Sequence, residues 1–401
     1  MLRSLFSGIS GLRAHQTMLD VTGNNIANVN TAGFKSSQVQ FQDTLSQVLA
    51  NAGAPQDGGG GTNPAQVGLG VKVAGIATNF QQGAAQLTNR STDMMISGDG
   101  FFVVNKGGEQ LYARAGAFSF DALGQLVTPD GALVQGWAAD AAGGIDLNAP
   151  LTDLRLPIST LMGARATSEA GFEGNLPADA AVGTILNRQV GVYDGAGQAR
   201  DLTLQFTKTA TGWDIAGAIA GTTSTQTGSI TFTTDGQIDT LTLPAFPADA
   251  AAGTGVITVD LSTLTGYAGL ETVAAEGQDG QAAGSLQSFA INTDGTLIGT
   301  FSNGLKQAIG RVALANFTNP SGLEKSGSSL YRPTVNSGDP QVGVAGTGGR
   351  GVLSGGSLEM SNVDLSAEFT NLIVAQRGFQ ANSRVITTSD ELLQELVNLK
   401  R

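Results

Sequence analysis

The stretch GNNIANVNTAGFK, Gly23 to Lys35, places four asparagines and two glycines at the end of a segment with helical apolar spacing. Asparagine side chains both donate and accept hydrogen bonds, but they make poor nucleophiles, bases and metal ligands. Such a cluster is either a binding site or a joint in the chain. What lies on either side of it decides the fold.

Upstream, Leu5, Leu12, Leu19 and Ile26 recur every seven residues, and Leu2 and Ile9 start a second track that weakens to Gln16 and Gly23. At the other end Leu358, Leu365, Leu372, Phe379, Ile386 and Leu393 keep the same step, with a mixed companion track of Phe369, Gln376, Ser383, Asp390 and Val397. A seven-residue step holds one stripe of a helix against one partner. SNVD, Ser361 to Asp364, matches a capping box ahead of the second helix. Each end reads as an amphipathic helix of roughly 25–35 residues, about 40–50 Å long. Gly8, Gly11 and Gly23 weaken the first by up to ~1 kcal/mol each relative to alanine. Packing must therefore supply most of the stability, from the other helix, from neighbouring copies, or from both.

Between the ends the pattern is β. Asp-Gly pairs at Asp99, Asp130, Asp194, Asp235 and Asp294 mark turns beside runs such as GFFVV, DLTLQF, SITFTT and TLIGTF. NAGAPQDGGGGTNPAQ, Asn51 to Gln66, reads as a flexible insert. Residues 146–284 hold fifteen acidic and five basic side chains, most of the net charge of −12. An inserted domain explains that shift. The expected fold class is mixed: long N- and C-terminal α-helices form a paired, coiled-coil-like inner domain, with two nested all-β domains between them. The expected division is 1–33 with 358–401 as the helical domain and 34–66 as a linker with the Gly/Pro-rich insert. A middle β domain then covers 67–145 with 285–357, and an outer acidic β domain covers 146–284.

The chain has no cysteine and one histidine, His15. That removes thiolate chemistry, Cys/His zinc sites and the Ser-His-Asp arrangement unless His15 serves it. GTGGRG, Gly346 to Gly351, fits G-x-G-x-x-G, but more glycines follow where a dinucleotide loop opens into a helix. Most acids stand at turn positions, where aspartate caps its own backbone. His15 lies beside the weak track and reads as a solvated or interface residue. No cofactor, metal or catalytic residue is expected. The acidic surface disfavours nucleic acid, and no apolar run of about 18 residues is present to span a membrane. MLRSLFSGISGLRAHQ lacks the continuous apolar core of a cleaved signal peptide.

The opening SLFSGISGLRAHQTMLDVTGNNIANVNTAGFKSS resembles the N-terminal signature of the bacterial flagellar rod and hook axial family, above all in LD-V-x-x-NNIANxNTxGFK, Leu19 to Lys35. The ending, with SNVDLS and IVAQRxFQAN, resembles the matching C-terminal signature. VGLGVKVAGI, MMISGDGFFVV and VALANFTNPSGLE are similar to segments of the same family. Length and the 146–284 insert set the chain with the longer members that carry an outer domain, through LMGARATSEAGFEGNL and GVYDGAGQARDLTLQF.

The resemblance implies a structural subunit, exported through the flagellar type III pathway, that polymerises into a curved hollow tube and joins rod to filament. Implied partners are further copies of the chain, rod proteins, the cap and the filament-junction proteins, with no membrane insertion. The alternative within the family is a rigid, distal-rod-like protein. Helix and inter-subunit packing falls to Leu5, Ile9, Leu12, Leu19, Ile26, Leu365, Phe369, Leu372, Phe379, Ile386 and Leu393. The asparagine run then reads as a joint. Asn24, Asn25, Asn28, Asn30, Gly33 and Phe34 form it, with Gly33 a candidate for the left-handed position past the first helix and the asparagines bonding turn backbone or adjacent subunits.

Overall fold

In the computed structural model the described residues are 2–54, 60–140, 143–156 and 162–399. The centre of the Gly/Pro-rich insert, 55–59, and the start of LMGARATSEAGFEGNL at Leu161 lie outside them. The chain divides into two units. One comprises Met1–Leu156, Ala290–Ile298 and Ala308–Arg401, and the other Pro157–Phe289 and Gly299–Gln307.

Two helices open and close the first unit, α1 (Leu2–Ala27) and α2 (Leu365–Leu399). They run antiparallel, because Gly8 faces Val385, Gly11 faces Asn382 and His15 faces Gly378. The approach is close. A methyl group on Gly11 would stand 2.7 Å from Asn382 Oδ1, and one on Gly378 would stand 2.5 Å from the His15 ring. The fully buried helix residues are small or polar: Gly8, Gly11, Ala14, Thr22 and Asn25 on α1, with Ala375 and Ser389 on α2. None of the eleven apolar packing positions expected from the seven-residue step is fully buried within the chain, and Leu365 and Phe369 are exposed.

From α2 back towards the β body, the two ends of the unit stay paired. Ser357–Glu359 runs antiparallel to Ala85–Leu87, and Val352–Gly355 to Met94–Ser97. Beyond them a sheet runs from the strand ending at Val312 through Leu133–Ala138, Phe101–Lys106, Glu109–Ala113 and Leu330–Arg332 to Glu324–Gly327. Its core is aromatic. Phe101, Tyr112, Trp137, Phe317 and Tyr331 are buried together, and Tyr112 meets Phe317 edge to face at 4.8 Å. Burial of this kind pushes the Tyr112 hydroxyl up to about 12.

The second unit is all-β. Ile185–Tyr193, Ala199–Lys208, Trp213–Ile219, Thr225–Phe232 and Ile238–Thr242 form an antiparallel meander. WDIAGAI, Trp213 to Ile219, alternates strictly between buried and exposed, as a strand with one wet face must. A second sheet centres on Glu169–Asn175, and Phe172, Phe206, Trp213 and Phe246 share the core with Leu176 and Leu204. Near the start of this unit Asp279 accepts from Ser168 N (2.8 Å), Ser168 Oγ (2.6 Å), Glu169 N (2.9 Å) and Arg165 Nη2 (2.8 Å). Burial opposes its charge, but these donors prevail and hold the carboxyl well below the usual range.

Three expectations need correction. Leu358 belongs to a strand opposite Gln86, so the C-terminal helix begins at Leu365 and not at 358. Its cap is Asp364, whose Oδ1 accepts from Ser366 N (2.8 Å) and Ala367 N (3.3 Å), so Ser361 is not the first member of a capping box. The segment 34–66 is not simply a linker, since it holds paired strands: Ser37–Asp43 with Val71–Thr78 and Ser46–Ala50 with Ala65–Gly68. Its Gly/Pro content reads as a linker, but the alternation in SQVQF and VKVAGI supplies the ribbon's pairing. GTGGRG is a tight loop closed by Gly346 N donating to Gly351 O at 2.9 Å.

Candidate functional site at the helix joint

The asparagine run leaves α1 in a series of turns. Asn28 N donates to Asn24 O (3.2 Å), Val29 N to Ile26 O (3.3 Å), Thr31 N to Asn28 O (3.1 Å) and Phe34 N to Thr31 O (3.2 Å). Gly33 has φ +68, so it is left-handed, but it occupies the third position of the Thr31–Phe34 turn, six residues past Ala27. It is not the residue that ends α1. Its backbone N donates to Glu359 O at 2.7 Å, and a methyl group there would lie 2.5 Å from Ala115 N.

The asparagines divide the work. Asn25 is buried; its Nδ2 donates to Ser37 O (2.8 Å) and Glu368 Oε1 (2.9 Å), and its Oδ1 accepts from Ser37 N (3.0 Å). One side chain thereby ties α1 to the ribbon and to the first turn of α2. Asn28 bonds locally, donating through Nδ2 to Asn24 O and accepting from Thr31 Oγ1. Asn24 and Asn30 are exposed. Asn25→Ala leaves the Ser37 amide and one Glu368 oxygen without their partner and should cost about 1–3 kcal/mol. Asn30→Ala should stay within about 0.5 kcal/mol. Denaturant unfolding followed by helical circular dichroism separates the two.

Phe34 and Lys35 carry the joint into the β body. The Lys325 ammonium stands 5.1 Å from the Phe34 ring centroid and donates to Ser37 Oγ (2.9 Å) and Lys35 O (3.3 Å); burial lowers its pKa. Phe34 and Lys325, together with Asn24, Asn28 and Thr31, line a depression of about 330 Å³.

Beneath it lies a buried ionic cluster that sequence reasoning missed. Lys35 is 0 % exposed, Glu359 1 % and Arg114 4 %. Lys35 Nζ donates to Glu359 Oε1 (2.7 Å) and Gln81 O (2.7 Å), Gly83 N donates to Glu359 Oε1 (2.8 Å), and Arg114 Nε donates to Glu359 Oε2 (2.6 Å). Arg114 spends its remaining donors on the carbonyls of Gly98, Gly100 and Ile96. Burial works to raise the Glu359 carboxyl, but the Arg114 charge and the Lys35 and Gly83 hydrogen bonds outweigh it and hold it low. Burial lowers Lys35, with the Glu359 bond opposing. Chemically the cluster is a clamp: residue 35 leaves the first helix, residue 359 precedes the second, and residue 114 anchors both in the sheet. The one available signal was a lysine directly after the apolar Gly-Phe turn, with a glutamate alternating inward in SLE.

His15 also sits at a junction, its ring packed over Gly378 and 6.0 Å from the Phe41 ring. Among the described residues no three His, Cys, Asp or Glu side chains group as a metal site would need. Among the described residues no helix is long and apolar enough to cross a membrane.

Apolar surface is left over on the same side chains that the seven-residue step selects and around them. Phe369, Ile373, Val374, Leu392 and Val397 are exposed on α2, Phe6 on α1, and Leu45, Val48 and Leu49 on the ribbon. A two-stranded ribbon this open is marginal alone in water.

Four family signatures match in chain order. They are a flagella basal body rod protein signature at 5–35, a flagellar hook protein FlgE/F/G D1 domain at 95–161, a flagellar basal body protein FlaE D2 domain at 163–281 and a flagellar basal body rod FlgEFG protein C-terminal signature at 354–399. The chain is 40% identical to the flagellar hook protein FlgE of Borreliella burgdorferi over 100% of both chains. It is 35% identical to the flagellar basal-body rod protein FlgG of Bacillus subtilis, again over 100% of both, which favours the hook over the rod assignment. The crystal structure of Helicobacter pylori flagellar hook protein FlgE2 covers 69% of this chain and 100% of its own, with TM-score 0.56 at 14% identity, a likeness of fold. With identity of this order running from end to end, the chain belongs to the flagellar hook protein family and is a structural component of the bacterial flagellum.

Proposed function

We propose that this chain polymerises into the curved hollow tube of the hook and acts there as a flexible universal joint, passing torque from rod to filament. The observation that carries this reading is the uncovered apolar surface on α2 and the ribbon, Phe369, Ile373, Leu392, Leu45 and Leu49, which further copies of the chain would cover. The paired helices form a coiled-coil-like inner tube, the sheet of the first unit the middle shell, and the acidic second unit the outside. Rod, cap and junction proteins are the partners at the two ends, and the subunit reaches its place through the flagellar type III export pathway. The reading assigns the chain no catalysis.

Bending during rotation requires contacts that slide between near-equal packings. Partly polar helix faces suit this, since a fully apolar seam specifies one register more strongly. Gln376 is exposed and Ser383 half-buried on α2. Replacing both with leucine should stiffen or straighten the tube, read as loss of curvature in electron micrographs and reduced swimming. Unchanged curvature and motility would count against sliding at these positions.

Electron microscopy of isolated basal bodies labelled with an antibody to residues 150–284 tests the assignment. Label on a short curved segment between rod and filament is the expected result. Label on the straight rod would establish the rigid, distal-rod-like alternative, which the full-length likeness to FlgG keeps in view.

A further inference from the structure

At the start of α1 and over the last described turns of α2, charge runs against the helix dipole, although Glu368 in the first turn of α2 accords with it. A helix favours acids at its N-terminus and bases at its C-terminus. In α1 the first turn contains Arg3 and no acid. In α2 the charged residues from Val385 to Leu399 are Asp390, Glu391 and Glu395, all acidic. The register that sets Gly8 against Val385 brings Arg3 opposite Asp390 within the chain, and Asp390 accepts from Gln394 Nε2 at 3.0 Å. Glu391 and Glu395 lie further along α2, exposed, and neither forms a salt bridge among the described residues. They share one side of the helix, about 6 Å apart along its axis, with Leu392, which is 50% exposed, beside them.

A groove with the complementary character runs along the other helix. Phe6, Ile9, Arg13 and Thr17 of α1 form one wall and Val71, Lys72 and Val73 of the ribbon the other, enclosing about 400 Å³. Ser10 fixes the two walls together, its Oγ accepting from Val71 N at 3.2 Å. Phe6, Arg13 and Lys72 are exposed. The groove is thus apolar at its floor and positive at its rim, whereas the α2 end is apolar at Leu392 and negative beside it, at Glu391 and Glu395.

We infer that the last turns of α2 of one copy lie in the groove between α1 and the Val71–Thr78 strand of a second copy. Leu392 sits against Phe6 and Val73, with Glu391 and Glu395 facing Arg13 and Lys72. This inference rests on the polymerisation reading above and names the surfaces it would use.

The absence of cysteine gives a clean test. Two preparations, one carrying Lys72→Cys and the other Glu395→Cys, are mixed, polymerised and mildly oxidised. Each copy has a single thiol, so a Lys72→Cys/Glu395→Cys disulfide forms only between copies and only where Cα atoms approach within about 7 Å. The expected result is a mixed dimer at least about tenfold above that from pairing Lys72→Cys with Thr227→Cys, an exposed site in the second unit, because docking raises the effective thiol concentration. A second arm uses charge: Arg13→Glu with Lys72→Glu should slow polymerisation about tenfold or more, and adding Glu391→Arg with Glu395→Arg should restore it. Tubes that form with control-level cross-linking and no rescue would overturn the docking while leaving the subunit assignment intact. Failure of the unsubstituted chain to polymerise would overturn the reading beneath it.

Discussion

Glu359→Gln is expected to be the most damaging single substitution in the first unit. It preserves shape and one acceptor, yet it leaves the Lys35 ammonium and the Arg114 guanidinium buried beside each other without their paired carboxylate, the exposed Asp99 acting on Lys35 only weakly. Breaking a buried pair from one side costs about 3–5 kcal/mol, because the remaining charge cannot recover its hydration. Here two charges are stranded, so the upper end of that range is expected. Lys35→Met removes a charge while retaining the Arg114–Glu359 pair, and should cost less, about 1–3 kcal/mol for the unpaired acceptors left behind. The pH dependence follows in sign. Glu359 has its pKa depressed in the folded chain, so its stabilisation is complete above the unfolded value of about 4.3 and is lost as pH falls through the lower folded value. Glu359→Gln should therefore flatten the acid limb of the stability curve. Trp137 lies in the first unit and Trp213 in the second, so a Trp213→Phe background lets fluorescence report the clamp's own unit. An unchanged unfolding midpoint in Glu359→Gln would show that the cluster contributes nothing net.

Gly33→Ala is the second large effect. The residue holds φ +68, where a Cβ meets its own backbone at a cost of about 1–2 kcal/mol. The same Cβ would lie 2.5 Å from Ala115 N and 2.6 Å from Ala115 Cα, main-chain atoms of a buried segment that cannot step aside cheaply. Both penalties fall on the turn whose amide bonds Glu359 O, so about 3 kcal/mol or more is expected. Gly33→Asn distinguishes the causes. Asparagine tolerates the left-handed region, so whatever loss persists in that variant belongs to the contact with Ala115. If both variants match the parent in denaturant, the chain at 115 is free to move and the joint is softer than its packing indicates.

These two sites show how unevenly the joint was legible. The seven-residue steps, Leu5, Leu12, Leu19 and Ile26 at one end and Leu365, Leu372, Phe379, Ile386 and Leu393 at the other, gave away both helices, because a repeated apolar stripe is a local property of spacing. It did not tell which faces meet. Within the chain the close contact is made by Gly8, Gly11 and Gly378, with Asn382 and His15 filling the space, and the leucines flank it half-buried. Small residues permit that approach only when two particular helices are brought together, and spacing carries no information about the partner. The capping box read at Ser361 slipped by three residues for a related reason: Ser and Asp are both good caps, and which is used depends on where the preceding strand ends. Residues 34–66 misled through composition, since Gly, Pro and Asn at a ribbon's tip mask the alternation in its legs.

By itself, then, the sequence determined that helices at both ends flank β-structure, that cysteine is absent, that the asparagine run turns, and the family. Each depends on residue type, short-range periodicity or a long matched motif, all of which are written in one dimension. Only the tertiary structure decided that Lys35, Arg114 and Glu359 converge, that Asn25 alone among its neighbours binds ribbon and α2, and that Gly33 serves the following turn. Lys35 and Glu359 lie at opposite ends of the chain, and nothing in the spacing of either forecasts the other. Their meeting follows from the antiparallel pairing of Ala85–Leu87 with Ser357–Glu359, which draws both ends of the first unit together and leaves a carboxylate where burial demands two cations.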